Sequence, residues 1–245
     1  MYTPEEILEQ TAMTAVVKVN KPLLTKVILG FIGGAMISLG YLAYLRVGGG
    51  IVGAAVFPVG LIVILLAGGE LITGNMMAVA VGYFKKRVTL SELLKNWLVI
   101  TAANVLGAVF GAYVFGVLAG TLTSGAPLKE AIHVAQGKLD ANFLTSFFSG
   151  IGCNWFVGLA VWLSYGAKDF SGKILAIWFP VMTFVAIGFQ HSVANSFLIP
   201  FTIFIGHASW LDFVANFIPV YLGNIVGGAI LISLFYTLAY QKHER

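Results

Sequence analysis

Between Ile51 and Phe84 the chain runs for 34 residues with one charged side chain, Glu70, set in the stretch GGELITGN from Gly68 to Asn75. The hydrocarbon core of a bilayer takes about 20 apolar residues of helix. The run is therefore too long for one crossing, and it reads as two half-helices around a polar loop at membrane depth. Irregular backbone is tolerated at that depth only where protein or a water-filled cavity satisfies its hydrogen bonds. The stretch thus demands a bundle of further helices around it.

The remainder of the sequence supplies one. Residues are 59% hydrophobic and 10% charged, with a mean hydropathy of +0.93, against about 25% charged in soluble domains. Apolar runs at Leu24–Val47, Ile51–Phe84, Trp97–Leu122, Phe143–Tyr165, Ile174–Gly206 and Phe213–Tyr240 make six spans, the second and fifth overlong and broken. The expected fold class is an all-α polytopic membrane protein in a lipid bilayer, a single membrane domain over residues 1–245. Of the 14 basic residues, 11 fall on the side that holds both termini and 3 (Arg46, Lys129, Lys138) on the other. Lys and Arg concentrate in cytoplasmic loops, so both termini are expected to be cytoplasmic, in the cell membrane. The net charge of +4 is spread in short clusters between spans and indicates no nucleic-acid partner.

The lone Cys153 excludes a disulfide framework within the chain and a cysteine-rich metal site, and no cofactor or metal is expected. The N-terminus MYTPEEILEQ reads as a helix start and not as a cleavable signal peptide. Thr3 would be the N-cap, Pro4 the first helical residue, with Glu5 and Glu6 in the first turn. Residues 1–22 then form an amphipathic helix whose apolar side draws on Ile7, Leu8, Met13, Val16 and Val17, lying on the membrane surface or packing under the bundle.

A second polar break, GFQHSVAN from Gly188 to Asn195, lies in the fifth span. A shift of 120 positions carries Gly68 onto Gly188 and Asn75 onto Asn195, and also Asn96, Asn104 and Gly107 onto Asn216, Asn224 and Gly227. Gly30 falls on Gly150. Residues 24–122 and 143–240 are accordingly two repeats of three spans each. Three is odd, so the halves are inverted about an axis in the membrane plane. Paired broken helices in such halves point to a shared binding site or pore near the midplane. The resuming half-helices would aim the positive ends of their dipoles there, which favours an anion.

Few polar side chains are available at that depth. His191 is the histidine that falls inside a span, and intramembrane ionisable groups are functional by default. It is placed either to hold an anion or lend it a proton, or to sit as a neutral imidazole satisfied by carbonyls. Thr73 offers a hydroxyl to an anion or to His191, or else a helix cap. Glu70 as a bare carboxylate would repel an anion, so it is expected to be tied to the N–H groups of its own loop, or protonated, as a brace. Asn154 is either a polar pore wall or a bridge between helices. Lys138, before the fourth span, is placed to attract anions at a vestibule. Gly107-x-x-x-Gly111, Gly116-x-x-x-Gly120 and Gly223-x-x-x-Gly227 are packing signals. An intramembrane enzyme using Glu70 and His191 as acid and base is a remote alternative. The chain lacks an HExxH pair, a membrane aspartate pair and a nucleophile elbow, so no catalytic residue is assigned and no enzyme is expected.

LLAGGELITG (Leu65–Gly74), GIGCNWFVGLAVW (Gly150–Trp162) and GFQHSVAN together resemble the signatures of the formate/nitrite transporter family, which includes hydrosulfide channels. The resemblance implies an aquaporin-like protomer and a homopentamer with one pore for a small anion in each protomer. It implies pore roles for Thr73, His191, Asn154 and the outer Lys138, and constrictions formed by Phe57, Leu61, Leu71, Ile72, Val157 and Phe184. The N-terminal helix is similar to one thought to gate the cytoplasmic mouth. The chain departs from the family pattern at Gln190, where Glu is frequent, at Gly158, where Cys is usual, and at Ile72, where formate and nitrite members usually carry Phe. Formate leads as the expected substrate, nitrite follows, and hydrosulfide is the alternative that Ile72 keeps open.

Overall fold

The structure is a computed structural model that describes residues 1–241; Lys242 and Arg245, counted in the basic balance above, lie outside the described residues. Ten helices are described: α1 Pro4–Asn20, α2 Leu23–Arg46, α3 Gly50–Gly68, α4 Ile72–Phe84, α5 Leu90–Leu118, α6 Gly125–Leu139, α7 Phe143–Gly166, α8 Phe170–Ile187, α9 Ser192–Phe204 and α10 Trp210–Tyr240. Six of them (α2, α3, α5, α7, α8, α10) are long and apolar enough to cross a membrane, and α4 and α9 are the shorter halves of the broken spans. Helix starts follow local capping. Thr3 and Glu6 close a reciprocal capping box with Pro4 just inside it, and Thr89–Glu92 and Ser209–Asp212 do the same for α5 and α10.

The internal repeat extends further than the apolar pattern indicates. The same offset of 120 carries Leu23 onto Phe143, Arg46 onto Gly166, Gly50 onto Phe170, Ile72 onto Ser192 and Leu90 onto Trp210. It also pairs α1 with α6, a helix between the third and fourth spans that the apolar pattern does not mark. Lys129, Glu130, His133, Gln136 and Lys138 interrupt its apolar residues, of which Ala131 and Ala135, four residues apart on one face, are buried. Thr101 and Tyr221 are repeat mates and hydrogen-bond each other at 2.8 Å. Two equivalent residues touch only near the axis that relates them.

The N-terminal helix packs under the bundle through Ile7, Leu8, Thr11, Ala12 and Ala15, and of the other expected side chains Val16 packs against the core. Met13 and Val17 face outward. The small residues win because α1 lies close against α4, where a Cβ on Gly82 would sit 2.4 Å from Ala15 Cβ.

Both spans break for three residues, Gly69–Leu71 and Phe189–His191, once the preceding helix has ended at a positive-φ glycine (Gly68, φ 97°; Gly188, φ 88°). The breaks are shorter than the eight-residue stretches suggested, because Asn75 and Asn195 already lie within α4 and α9. Each break is held by an asparagine from a neighbouring span. Asn104 Oδ1 accepts from Ile72 N at 2.8 Å, and its Nδ2 donates to the carbonyls of Gly30 (2.6 Å) and Glu70 (2.8 Å). In the other half, Asn224 Oδ1 accepts from Ser192 N at 3.0 Å and Nδ2 donates to Gly150 O (2.8 Å) and Gln190 O (3.3 Å).

These short side chains reach across only because the helices touch. A Cβ on Gly34 or Gly107 would stand 2.0 Å from the carbonyl oxygen of Asn104 or Phe31, and on Gly223 2.1 Å from that of Phe147. Small residues permit such contact. Gly120 does not serve in this way, since it has a φ of 70° in the turn after α5. Half-helices α4 and α9 run through the middle, buried from Ile72 to Gly82 and from Ser192 to Thr202.

Three substitutions test this packing, each read as resistance of the purified protein to unfolding in mixed micelles. Gly34→Leu is expected to cost about 1–3 kcal/mol or more, as overpacking does, whereas Gly137→Ala, which meets nothing within 4 Å, stays within about 0.5 kcal/mol. Asn104→Ala strands one N–H and two carbonyls and is expected to cost about 3 kcal/mol, at roughly 1 kcal/mol or more for each unsatisfied group.

Candidate functional site

The N-termini of α4 and α9 meet at the centre of the bundle. Thr73 Oγ1 and His191 Nε2 are 2.9 Å apart there, both side chains buried. His191 is the N-cap of α9, and its Nδ1 accepts from Ala194 N at 3.1 Å. A ring nitrogen that accepts carries no proton, so the neutral imidazole holds its hydrogen on Nε2 and donates it to Thr73 Oγ1. The Thr73 hydroxyl hydrogen is then left to point elsewhere. His191 is a neutral imidazole with both ring nitrogens engaged, as its satisfied reading expects, but its partners are a hydroxyl and a backbone N–H in place of carbonyls.

Apolar side chains surround this pair. Phe184 stacks on the His191 ring (centroids 6.1 Å apart, 19° between planes), Phe57 packs edge-on to Phe184 at 6.0 Å, and Tyr41 edge-on to Phe57 at 5.6 Å. Phe57, Leu61, Leu71, Ile72, Val157 and Phe184 are all buried in one cluster. Spread over α3, α4, α7 and α8 and the first break, they are brought together by the fold alone. Tyr41, on α2, completes the aromatic chain and was not singled out in the sequence, where it is one of nine tyrosines.

A cavity of about 310 Å³ approaches His191 from one side. Its polar lining comes from Lys138, Tyr44, Thr145, Ser149, Gln190 and His191. Lys138, in the last turn of α6, makes no ion pair or side-chain hydrogen bond among the described residues, and only its backbone carbonyl is used, by Asn216 Nδ2 at 3.1 Å. Burial pushes its ammonium pKa down to about 8, so it stays largely charged at neutral pH.

Glu70 departs from expectation. Its carboxylate is not wrapped by the N–H groups of its loop. It takes Lys18 Nζ at 2.8 Å, Lys21 Nζ at 2.5 Å and Asn75 Nδ2 at 2.8 Å, while its backbone is pinned by Leu29 O and Asn104. A carboxylate only 1% exposed requires countercharge, and docking of α1 supplies it. The sequence carries a signal for Lys18 alone: the repeat offset that places Glu70 on Gln190 places Lys18 on Lys138. A second ion-pair group holds α1 at its middle, where Glu9 meets Lys85 at 2.6 Å and Arg87 at 2.8 Å. The Lys85 hydrogen bond keeps the Glu9 carboxyl below its usual range.

Asn154, on α7, bridges helices. Its Nδ2 donates to the carbonyls of Asn224 (2.6 Å) and Thr73 (3.2 Å), and its Oδ1 has no partner. Glu70 and His191 share no hydrogen bond among the described residues, each being engaged as above. An acid–base pair between them is therefore not assembled.

The family model described as Formate/nitrite transporter matches residues 5–238. The chain is 51% identical over 252 residues to the uncharacterized transporter YrhG of Bacillus subtilis, covering 99% of this chain and 95% of that protein. It is 48% identical over 253 residues to the formate channel BtFdhC of Bacillus thuringiensis, covering 99% and 97%. Among solved structures, a pentameric formate channel with formate bound superposes with a TM-score of 0.79 at 28% identity, covering 90% of this chain and 98% of that one. With a match that spans all six crossings and both breaks, the chain belongs to the formate/nitrite transporter family.

Proposed function

We propose that this protein is a homopentameric channel for small monovalent anions of weak acids, with one path per protomer, formate as the first substrate and nitrite as the second. The observation that carries this reading is the Thr73–His191 pair where two half-helix N-termini converge. Two positive dipole ends favour a negative charge between them, and among the described residues no acidic side chain is bonded to the pair. The names of the formate channels similar to this chain support formate, and the pentamer in one of them supports the assembly. The balance of basic residues supports cytoplasmic termini, an orientation in which the Lys138 cavity opens outward.

In this reading an anion enters past Lys138 and reaches the aromatic collar of Phe57 and Phe184, where it sheds water. At the centre the Thr73 hydroxyl turns its hydrogen to the anion and His191 Nε2–H follows. A proton that the imidazole takes from water and passes on through the Thr73 hydroxyl turns the anion into its neutral acid and leaves the imidazole neutral again; the acid then passes the buried Leu61, Leu71, Ile72 and Val157. Asn154 holds the carbonyl of Thr73 and so fixes the start of α4; Glu70 serves as the brace of the break. Ile72, an aliphatic residue fully buried at the start of α4, is the observation that favours hydrosulfide as the second reading.

Fluxes of formate, nitrite and hydrosulfide into vesicles holding the purified protein, across a range of pH, test both the substrate order and the centre. His191→Asn is expected to lower formate flux about 100-fold or more, the scale of a lost proton-transfer group, and to flatten its pH dependence. Unchanged flux with unchanged pH dependence would remove His191 from the mechanism.

A further inference from the structure

The two halves carry the same lysine but not the same acid. The repeat offset pairs Lys18 with Lys138 and Glu70 with Gln190. The lysines occupy equivalent places: the carbonyl of each accepts from an asparagine that is itself a repeat mate, Asn96 to Lys18 O at 3.4 Å and Asn216 to Lys138 O at 3.1 Å. Their ammonium groups then diverge. Lys18 Nζ is engaged by Glu70 Oε2 at 2.8 Å, whereas Lys138 Nζ has no carboxylate or other acceptor among the described residues.

Gln190 reproduces the packing part of Glu70. Its Oε1 accepts from Asn195 Nδ2 at 2.8 Å and Asn216 Nδ2 at 2.9 Å, as Glu70 Oε2 accepts from Asn75 Nδ2. The other terminal atom is an NH2, directed at Ser146 Oγ at 3.4 Å. An amide nitrogen only donates and offers an ammonium nothing. The acceptor that would engage Lys138 is therefore missing, while the asparagine bonds around the break are kept.

We propose that Gln190 acts as a positioning residue that leaves the Lys138 ammonium unneutralised, making the cavity beside it an anion-binding subsite that the Lys18 mouth lacks. The cavity wall fits that use. Besides Lys138 it presents Thr145 and Ser149, and Ser149 Oγ already accepts from Gln190 N at 2.9 Å, which turns its own hydrogen outward. These donors, set on a cavity that ends at His191, suit a small monovalent anion. Glu130, on the same helix, approaches Gly49 beside the Tyr44 hydroxyl and makes no ion pair with Lys138. At the opposite mouth Lys18 and Lys21 both point at Glu70. The subsite rests on the channel reading above and adds to it a difference between the two mouths.

Labelled formate entering sealed vesicles of either orientation reads the two mouths separately. Gln190→Glu provides the missing oxygen, and its carboxylate is expected to take Lys138. Half-saturating formate at the Lys138 mouth should rise about tenfold or more, the loss of one charge-assisted hydrogen bond, with a shift of less than about twofold at the Lys18 mouth. Lys138→Gln should raise the same value at the same mouth, and it decides the matter alone if the first variant does not assemble. An unshifted Lys138 mouth, or equal shifts at both mouths, overturns the subsite while leaving the channel reading intact. A wild type that carries no formate overturns the channel reading and the subsite with it.

Discussion

Every backbone N–H and C=O at membrane depth must find a partner inside the protein, and the rest of this structure depends on how two broken spans meet that demand. Asn104 and Asn224 meet it, each capping the first N–H of a half-helix and holding two carbonyls across a helix contact. One side chain serving three backbone groups has to stand very close to all of them. This explains the backbone-to-backbone contacts at Gly34, Gly107 and Gly223. Remove the close approach and the asparagines no longer reach; remove the asparagines and the breaks have no place in hydrocarbon.

Once the breaks are held, the electrostatics of the centre follow. Both half-helices present their positive ends to the same point, and the groups there, a hydroxyl and a neutral imidazole, are donors or can become donors. The one carboxylate in the breaks is kept away from that point by two lysines of α1. The repeat has thus diverged where chemistry requires it: Val193 and Leu71 are the repeat mates of Thr73 and His191. The residues that hold the breaks stayed paired, and the residues that face the path did not.

The spans were legible because apolar length is a local and additive property, and each observed crossing begins within a few residues of its expected one except α5. That helix starts earlier, at Leu90, because the Thr89–Glu92 box begins it in polar sequence. Hydropathy does not register α6, because Lys129, Glu130, His133, Gln136 and Lys138 interrupt its 15 residues. The partners of Glu70 were not legible locally, since Lys18 and Lys21 are about fifty residues away and only the docking of α1 brings them in. The asparagine ladder was visible as a repeat, but its bonds were not.

By itself the sequence determined the number of spans, the position of both breaks and the pairing of the halves, because those depend on hydrophobic length and on a regular offset. Tertiary structure decided which groups share a hydrogen bond: the proton of His191 on Nε2, the lysines on Glu70, the engaged Gln190 beside an unengaged Lys138. The physical reason is that a buried polar group is defined by its partner. Which partner arrives depends on which helix faces come within about 3 Å, a condition set by packing across the whole bundle.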